Sequence, residues 1–171
     1  MGLLRGRRDE PGGRRFRMRE KLLSIGDDFW IEDEDGNRVY RVDGKAARLR
    51  ETILLKDAAG NEIAKIQERK LSVRHKMAIE RDGETVATVH KALAGIRDRF
   101  AIDIEGGGGL KAHGNIVDHE YEIERDGDTI ARISKKWFRV RDTYGVELNS
   151  GEDEGILLAA VVALEALTDG R

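Results

Sequence analysis

Twelve residues near the C-terminus, Ile156 to Leu167, read ILLAAVVALEAL, and no other stretch limits the possible folds as severely. They are apolar on every side of a helix, with Glu165 the single charge. A helix that is apolar all round has to be enclosed by protein or by lipid. Twelve residues reach roughly 18 Å, against a bilayer core of about 30 Å, so lipid is excluded. The acids of the preceding Gly151-Glu152-Asp153-Glu154 run suit the positive end of a helix dipole. A helix is expected over about 153–168, wrapped by the rest of the chain.

The wrapping is legible as a fourfold repeat. Segments 35–51, 59–75, 82–98 and 126–142 align without a gap. Each has glycine second (Gly36, Gly60, Gly83, Gly127) and a β-branched residue eighth (Val42, Ile66, Val89, Ile133). Each ends in an aliphatic residue and arginine: Leu49-Arg50, Val73-Arg74, Ile96-Arg97 and Val140-Arg141. Asp-Gly and Gly-Asn pairs tolerate the positive φ of tight hairpin turns, so each unit opens with a turn. After the turn, Tyr40 and Val42, Ala64 and Ile66, Ala87 and Val89, and Ala131 and Ile133 fall on one face. The residues between and beyond them are mostly polar, the period of a half-buried antiparallel strand.

The same alternation runs through Phe100-Ile102-Ile104, Tyr121-Ile123 and Tyr144-Val146-Leu148. Further strands are expected at 19–24, 28–34, 52–57, 75–81 and 110–116. Gly106 to Gly109 reads as a flexible connection between halves and not as a phosphate cradle, because Leu110-Lys111 enters a strand. Some twelve antiparallel strands remove their edges by closing. A barrel of that size leaves about 10 Å inside, the width of one helix. Alanine at three of the four sixth positions leaves room on the inner wall. The expected fold is therefore mainly β: a closed antiparallel barrel of about twelve strands around one central hydrophobic C-terminal helix.

Three stretches carry a resemblance to a known family. They are DFWIEDEDGNRVYRVDG from Asp28, the run Arg132 to Glu147 containing Lys135-Lys136-Trp137-Phe138 and Asp142-Thr143-Tyr144-Gly145-Val146, and the terminal apolar helix. Over roughly 16–168 the chain resembles the LURP-one-related family of the tubby C-terminal-like superfamily, alongside the phospholipid scramblases. That resemblance implies a twelve-stranded barrel around a central helix. It also implies a link to anionic lipid, since tubby-type barrels bind phosphoinositides through surface Lys and Arg. The chain has no counterpart of the scramblase calcium segment, no cysteine to acylate and no transmembrane helix.

Arg69 and Lys70 in one repeat lie within one position of the places that Lys135 and Lys136 hold in another, where Trp137 interleaves and Arg139 follows. These six form the candidate anion- or lipid-binding set. The recurring Arg50, Arg74, Arg97 and Arg141 are better read as structural, pairing with nearby acids at strand bends. Asp33, Asp35 and Asn37 alternate oxygens as a calcium loop does, but Arg38 stands where its glycine belongs, and a hairpin turn accounts for them. His119-Glu120 opens like a zinc-protease motif, yet Ile123 occupies the second histidine's place. No nucleophile elbow or distinctive carboxylate pair is present, so no catalytic residue, metal or cofactor is expected.

Residues 1–21 carry eight Arg or Lys against three acids, while the whole chain has net charge −2. Residues 1–15 read as a basic arm, with Pro11-Gly12-Gly13 breaking any helix, ahead of a single domain over 16–168. The arm is either a solvated tail, the favoured reading, or a surface for nucleic acid, without sequence specificity. Lack of cysteine and of a secretory signal fits a cytoplasmic protein, peripheral to a membrane if lipid is its partner. The function expected is non-enzymatic: contact with anionic lipid, or scaffolding of a protein partner, through a basic surface, with nucleic-acid binding by the arm or a purely structural, oligomeric interaction role as the alternatives.

Overall fold

The computed structural model describes residues 13–19, 28–44, 52–69, 76–91, 99–138 and 141–169. Its strands are β1 (Arg14–Arg19), β2 (Phe29–Asp33), β3 (Arg38–Asp43), β4 (Thr52–Asp57), β5 (Glu62–Arg69) and β6 (Lys76–Arg81). They continue as β7 (Glu84–Lys91), β8 (Arg99–Ile104), β9 (Gly109–Asn115), β10 (Glu120–Arg125), β11 (Asp128–Ser134) and β12 (Thr143–Leu148). One helix follows, α1 (Glu154–Asp169). Every strand pairs antiparallel with its chain neighbours, and β1 pairs with β12, closing a twelve-stranded barrel.

The first strand lies earlier than the 19–24 expected for it. It spans Arg14–Arg19, and residues 20–24 lie outside the described residues. Its inward residues are Phe16 and Met18, both fully buried, while Arg15 and Arg17 face outward. Arginine on every outward position concealed the alternation and made the stretch read as arm.

The fourfold repeat has a physical signature. The pairing register shifts at Ile31/Glu32, Leu55/Lys56, Ile79/Glu80 and Ile123/Glu124, one bulge leading into each repeat turn. A bulge increases local twist and bends its strand, which helps a sheet curl closed. The turns are of two kinds. Asp82-Gly83 and Asp126-Gly127 have positive φ at both residues, as a two-residue hairpin turn requires. In the others, Asp33 Oδ1 accepts from the N–H groups of Asp35 and Asn37, and Asp57 Oδ1 accepts from that of Asn61. These bonds hold both aspartates below the usual carboxylate range, the Asn37 and Asn61 side chains contributing most. The hairpin reading of Asp33, Asp35 and Asn37 holds.

Gly106–Gly109 is a further hairpin and not a loose connection. The Ile104 N–H donates to the Gly108 carbonyl, and the Gly107 N–H to that of Ile104.

Inside, Leu157 to Leu164 of α1 are buried without a break. The helix lies nearest β5, β6 and β7. There the inner wall includes Ala64 and Ala87, which let the backbones approach. Across the barrel the wall carries Phe16, Met18 and Tyr144. The alanines make room on one side, and large side chains fill the wider gap on the other.

At the helix start, three successive acids each take an arginine from a different strand. Glu152 meets Arg125 of β10 at 2.6 Å, Asp153 meets Arg81 of β6 at 2.9 Å, and Glu154 meets Arg14 of β1 at 2.8 Å. Glu154 also accepts from Tyr40 of β3 at 2.6 Å; burial and that acid raise the phenol's pKa. The barrel thus grips its helix from several sides.

Candidate functional site

Antiparallel closure sorts the connections onto two ends. The turns β2–β3, β4–β5, β6–β7, β8–β9 and β10–β11 share one end with the start of α1. At the other end the described residues are strand termini, the 116–119 turn, Lys135 to Phe138, and the C-terminal end of α1. The first end is rich in exposed acids, among them Glu34, Asp35, Asp82, Glu84, Asp126 and Asp128. Its arginines Arg14, Arg81 and Arg125 are engaged by the helix-start acids. The second end carries Arg19, Lys91, Arg99, Lys135, Lys136 and Arg141, all exposed, with Asp118 and Asp142 among them.

Lys135 and Lys136 leave β11 on a backbone held by one carboxylate. Glu120 Oε1 accepts from Ser134 Oγ and from the Lys135 N–H, both at 3.0 Å. The Lys136 N–H donates to Ser134 Oγ at 3.1 Å. The chain then folds back over the outer wall. A Cβ on Gly145 of β12 would lie 2.6 Å from Trp137 Cε3 and 3.0 Å from Phe138 Cε2, so both rings pack against that glycine. Arg15 stacks on Trp137 at 4.8 Å, and Arg17 on Phe138 at 5.9 Å. Arg15 also pairs with Glu147, and Arg17 with Glu32. The aromatic faces are occupied by this chain's own arginines, and Lys135 and Lys136 are exposed beside them.

The six sequence candidates do not form one patch. Arg69 ends β5, six positions from β11 in the twelve-strand circuit and so on the far side of the barrel. Twelve strands about 4.8 Å apart make that roughly 20 Å. Arg69 is moreover bonded to Glu80 at 2.7 Å. Lys70 and Arg139 lie outside the described residues, as do Arg50, Arg74 and Arg97. Lys135, Lys136 and Trp137 do stand together.

One polar group escaped the sequence reading. His119 Nδ1 lies 2.9 Å from Glu165, with side chains 9% and 1% exposed. The imidazole stacks on Tyr144 at 4.4 Å and 5°. The fully buried Tyr121 hydroxyl faces the same carboxylate; burial first, then the negative charge of Glu165, raises its pKa. This group counters a charge that the apolar helix brings into the core and fixes how the helix end is turned. Its signal was present, since a lone glutamate on a buried helix needs a partner.

The family model described as LURP-one-related matches residues 14–165. The chain belongs to the LURP-one-related family. The match opens at Arg14, the first residue of β1, and ends at Glu165, the buried acid of α1, so the LURP-one-related unit contains both the barrel and its filling. A crystal structure of a protein from Arabidopsis thaliana is similar, with a TM-score of 0.67 and 14% identity over 92% of this chain and 93% of that one. At that identity the likeness concerns the fold. No curated protein matches this LURP-one-related chain.

Proposed function

We propose that this chain acts by binding and not by catalysis, as a peripheral protein on anionic phospholipid. The contact is end-on, through the barrel end that carries Lys135 and Lys136. One observation carries the reading: two adjacent lysines are exposed at an end whose described strand termini add Arg19, Lys91 and Arg99, while acids gather at the opposite end. Such a charge separation orients a protein before contact, and each Lys or Arg near an anionic leaflet contributes about 1 kcal/mol. Among the described residues no helix is long and apolar enough to cross a membrane. Of the basic residues read as a nucleic-acid surface, Arg14, Arg15 and Arg17 pair with Glu154, Glu147 and Glu32 as part of β1.

Flotation with phosphatidylcholine vesicles, with and without phosphatidylserine, tests this. Binding should require the anionic lipid and weaken with salt. The double variant Lys135→Glu/Lys136→Glu should abolish it, whereas a truncation of residues 1–12, which stops short of β1, should retain it. Equal binding to neutral vesicles, or indifference to the double charge reversal, would sink the proposal. So would no binding at all.

A further inference from the structure

On the outer wall of β9 and β10, away from the lysine end, three side chains of metal-ligating type converge. His113 of β9 sits directly opposite Glu122 of β10, and its Nε2 reaches diagonally to Glu124 Oε1 at 2.7 Å. One ligand atom from each of the three lies within 4.8 Å of the others. We propose that His113, Glu122 and Glu124 hold a divalent transition-metal ion, with Zn2+ the representative.

Residue chemistry comes first. An imidazole and two carboxylates are an N/O donor set suited to Zn2+ and its first-row neighbours, and two carboxylates balance a 2+ charge. Three protein ligands leave a further position for water, as an open zinc site has. Then comes the platform. Two residues two apart on one face of a strand and one on its partner are set by sheet register, so the Cβ positions need no ordering on binding. Tetrahedral bonds of about 2.1 Å place ligand atoms roughly 3.4 Å apart. Reaching that from the observed spacing takes about 1 Å of movement, which the torsions of glutamate supply.

The neighbours separate these two glutamates from a third. Glu120 faces outward on the same strand, but one of its oxygens already accepts from Ser134 and the Lys135 backbone. Glu122 is held more loosely, with Arg132 at 3.5 Å and the Thr129 hydroxyl donating at 3.2 Å. A metal would replace the arginine and keep the threonine, whose hydrogen bond orients a ligating carboxylate. Glu124 sits opposite the bulge of β11, where Ile130 is the extra residue and the local twist increases. Lys111, opposite Glu124, and Arg99, opposite His113, are the remaining cations in register; both are exposed and can swing to solvent.

Isothermal titration of the full-length chain with ZnCl2 tests the site, alongside His113→Ala, Glu124→Gln and, as a control, His90→Ala. His90 bonds Asp103 on the β7–β8 pair and belongs to no such triad among the described residues. The substituted positions all face outward, and circular dichroism checks that each variant folds; Glu122→Gln replaces either triad variant that does not. One equivalent of Zn2+ should bind, weakened at least about tenfold by His113→Ala and by Glu124→Gln and unchanged by His90→Ala. No binding up to about 1 mM Zn2+ overturns the assignment. Binding that ignores His113→Ala, or that falls equally with His90→Ala, overturns it as well.

Discussion

Arg81 donates two hydrogen bonds of 2.9 Å to Asp153, and the same carboxylate accepts the Ile156 N–H at 3.1 Å. A strand residue and a helix cap, 72 positions apart, are thus one device that seats α1 in the barrel. Arg81 chiefly, with burial opposing, holds the Asp153 carboxyl below the ordinary carboxylate range.

That relationship makes stability depend on acid. In the unfolded chain an aspartate titrates near pH 4 (about 3.9). Above that value both states are ionised and the full stabilisation is present. Below it the unfolded chain takes up the proton first, and stability declines until the pH passes the lower folded pKa. Asp33 and Asp57 act in the same direction. Urea titrations at neutral pH and below about pH 4 should show this loss, with a shallower dependence in Asp153→Asn. Asp153→Ala should cost about 1 kcal/mol at neutral pH through the lost cap alone.

The buried pair His119–Glu165 predicts strong non-additivity. His119→Ala leaves a carboxylate 1% exposed without its imidazole and should cost about 3 kcal/mol or more. Glu165→Leu combined with His119→Phe removes both polar partners. That double variant should be less destabilised than the two single losses added, as measured by a denaturant double-mutant cycle.

Size should matter oppositely on helix and wall. Leu158 is fully buried, so Leu158→Ala should cost about 2–5 kcal/mol. Ala87 belongs to the wall the helix lies nearest, and Ala87→Leu should cost about 1–3 kcal/mol by forcing the two apart. Equal stability of Ala87→Leu and the parent in guanidinium would show that the helix is not held close there.

Gly145→Val would put a side chain where Trp137 and Phe138 now lie. Trp137 must lift off β12 and separate from Arg15. In a Trp30→Phe background, which leaves Trp137 as the single tryptophan, emission should shift to the red and become more accessible to a soluble quencher. Unchanged emission would mean that the ring is held from elsewhere.

Much of the architecture could be read from local pattern. Val42, Ile66, Val89 and Ile133 face inward as their period of two required, and α1 begins within a residue of its expected start. Two local readings failed for identifiable reasons. The outward arginines of β1 hid Phe16 and Met18, and four glycines in a row concealed an ordinary hairpin turn. The candidate site was less legible. Residues at matching positions of two repeats, Arg69 and Lys136, end on opposite walls because repeats succeed one another around a closed circuit. The triad at His113 was invisible for a related reason: its members are brought together by the register of β9 on β10, and nothing local marks it.

The amino-acid sequence by itself determined which residues face inward, that the strands must close, and that the closed space takes an apolar helix. These follow from periodicity and from the cost of exposing apolar surface, which act over a few residues at a time. Only the tertiary structure decided which charges meet. Arg81 found Asp153, His119 found Glu165, and the aromatics of Lys135-Lys136-Trp137-Phe138 found Gly145 rather than solvent. Those partners depend on how the strands are staggered when the barrel closes and on how the helix is turned inside it, and both are settled by packing over the whole circuit.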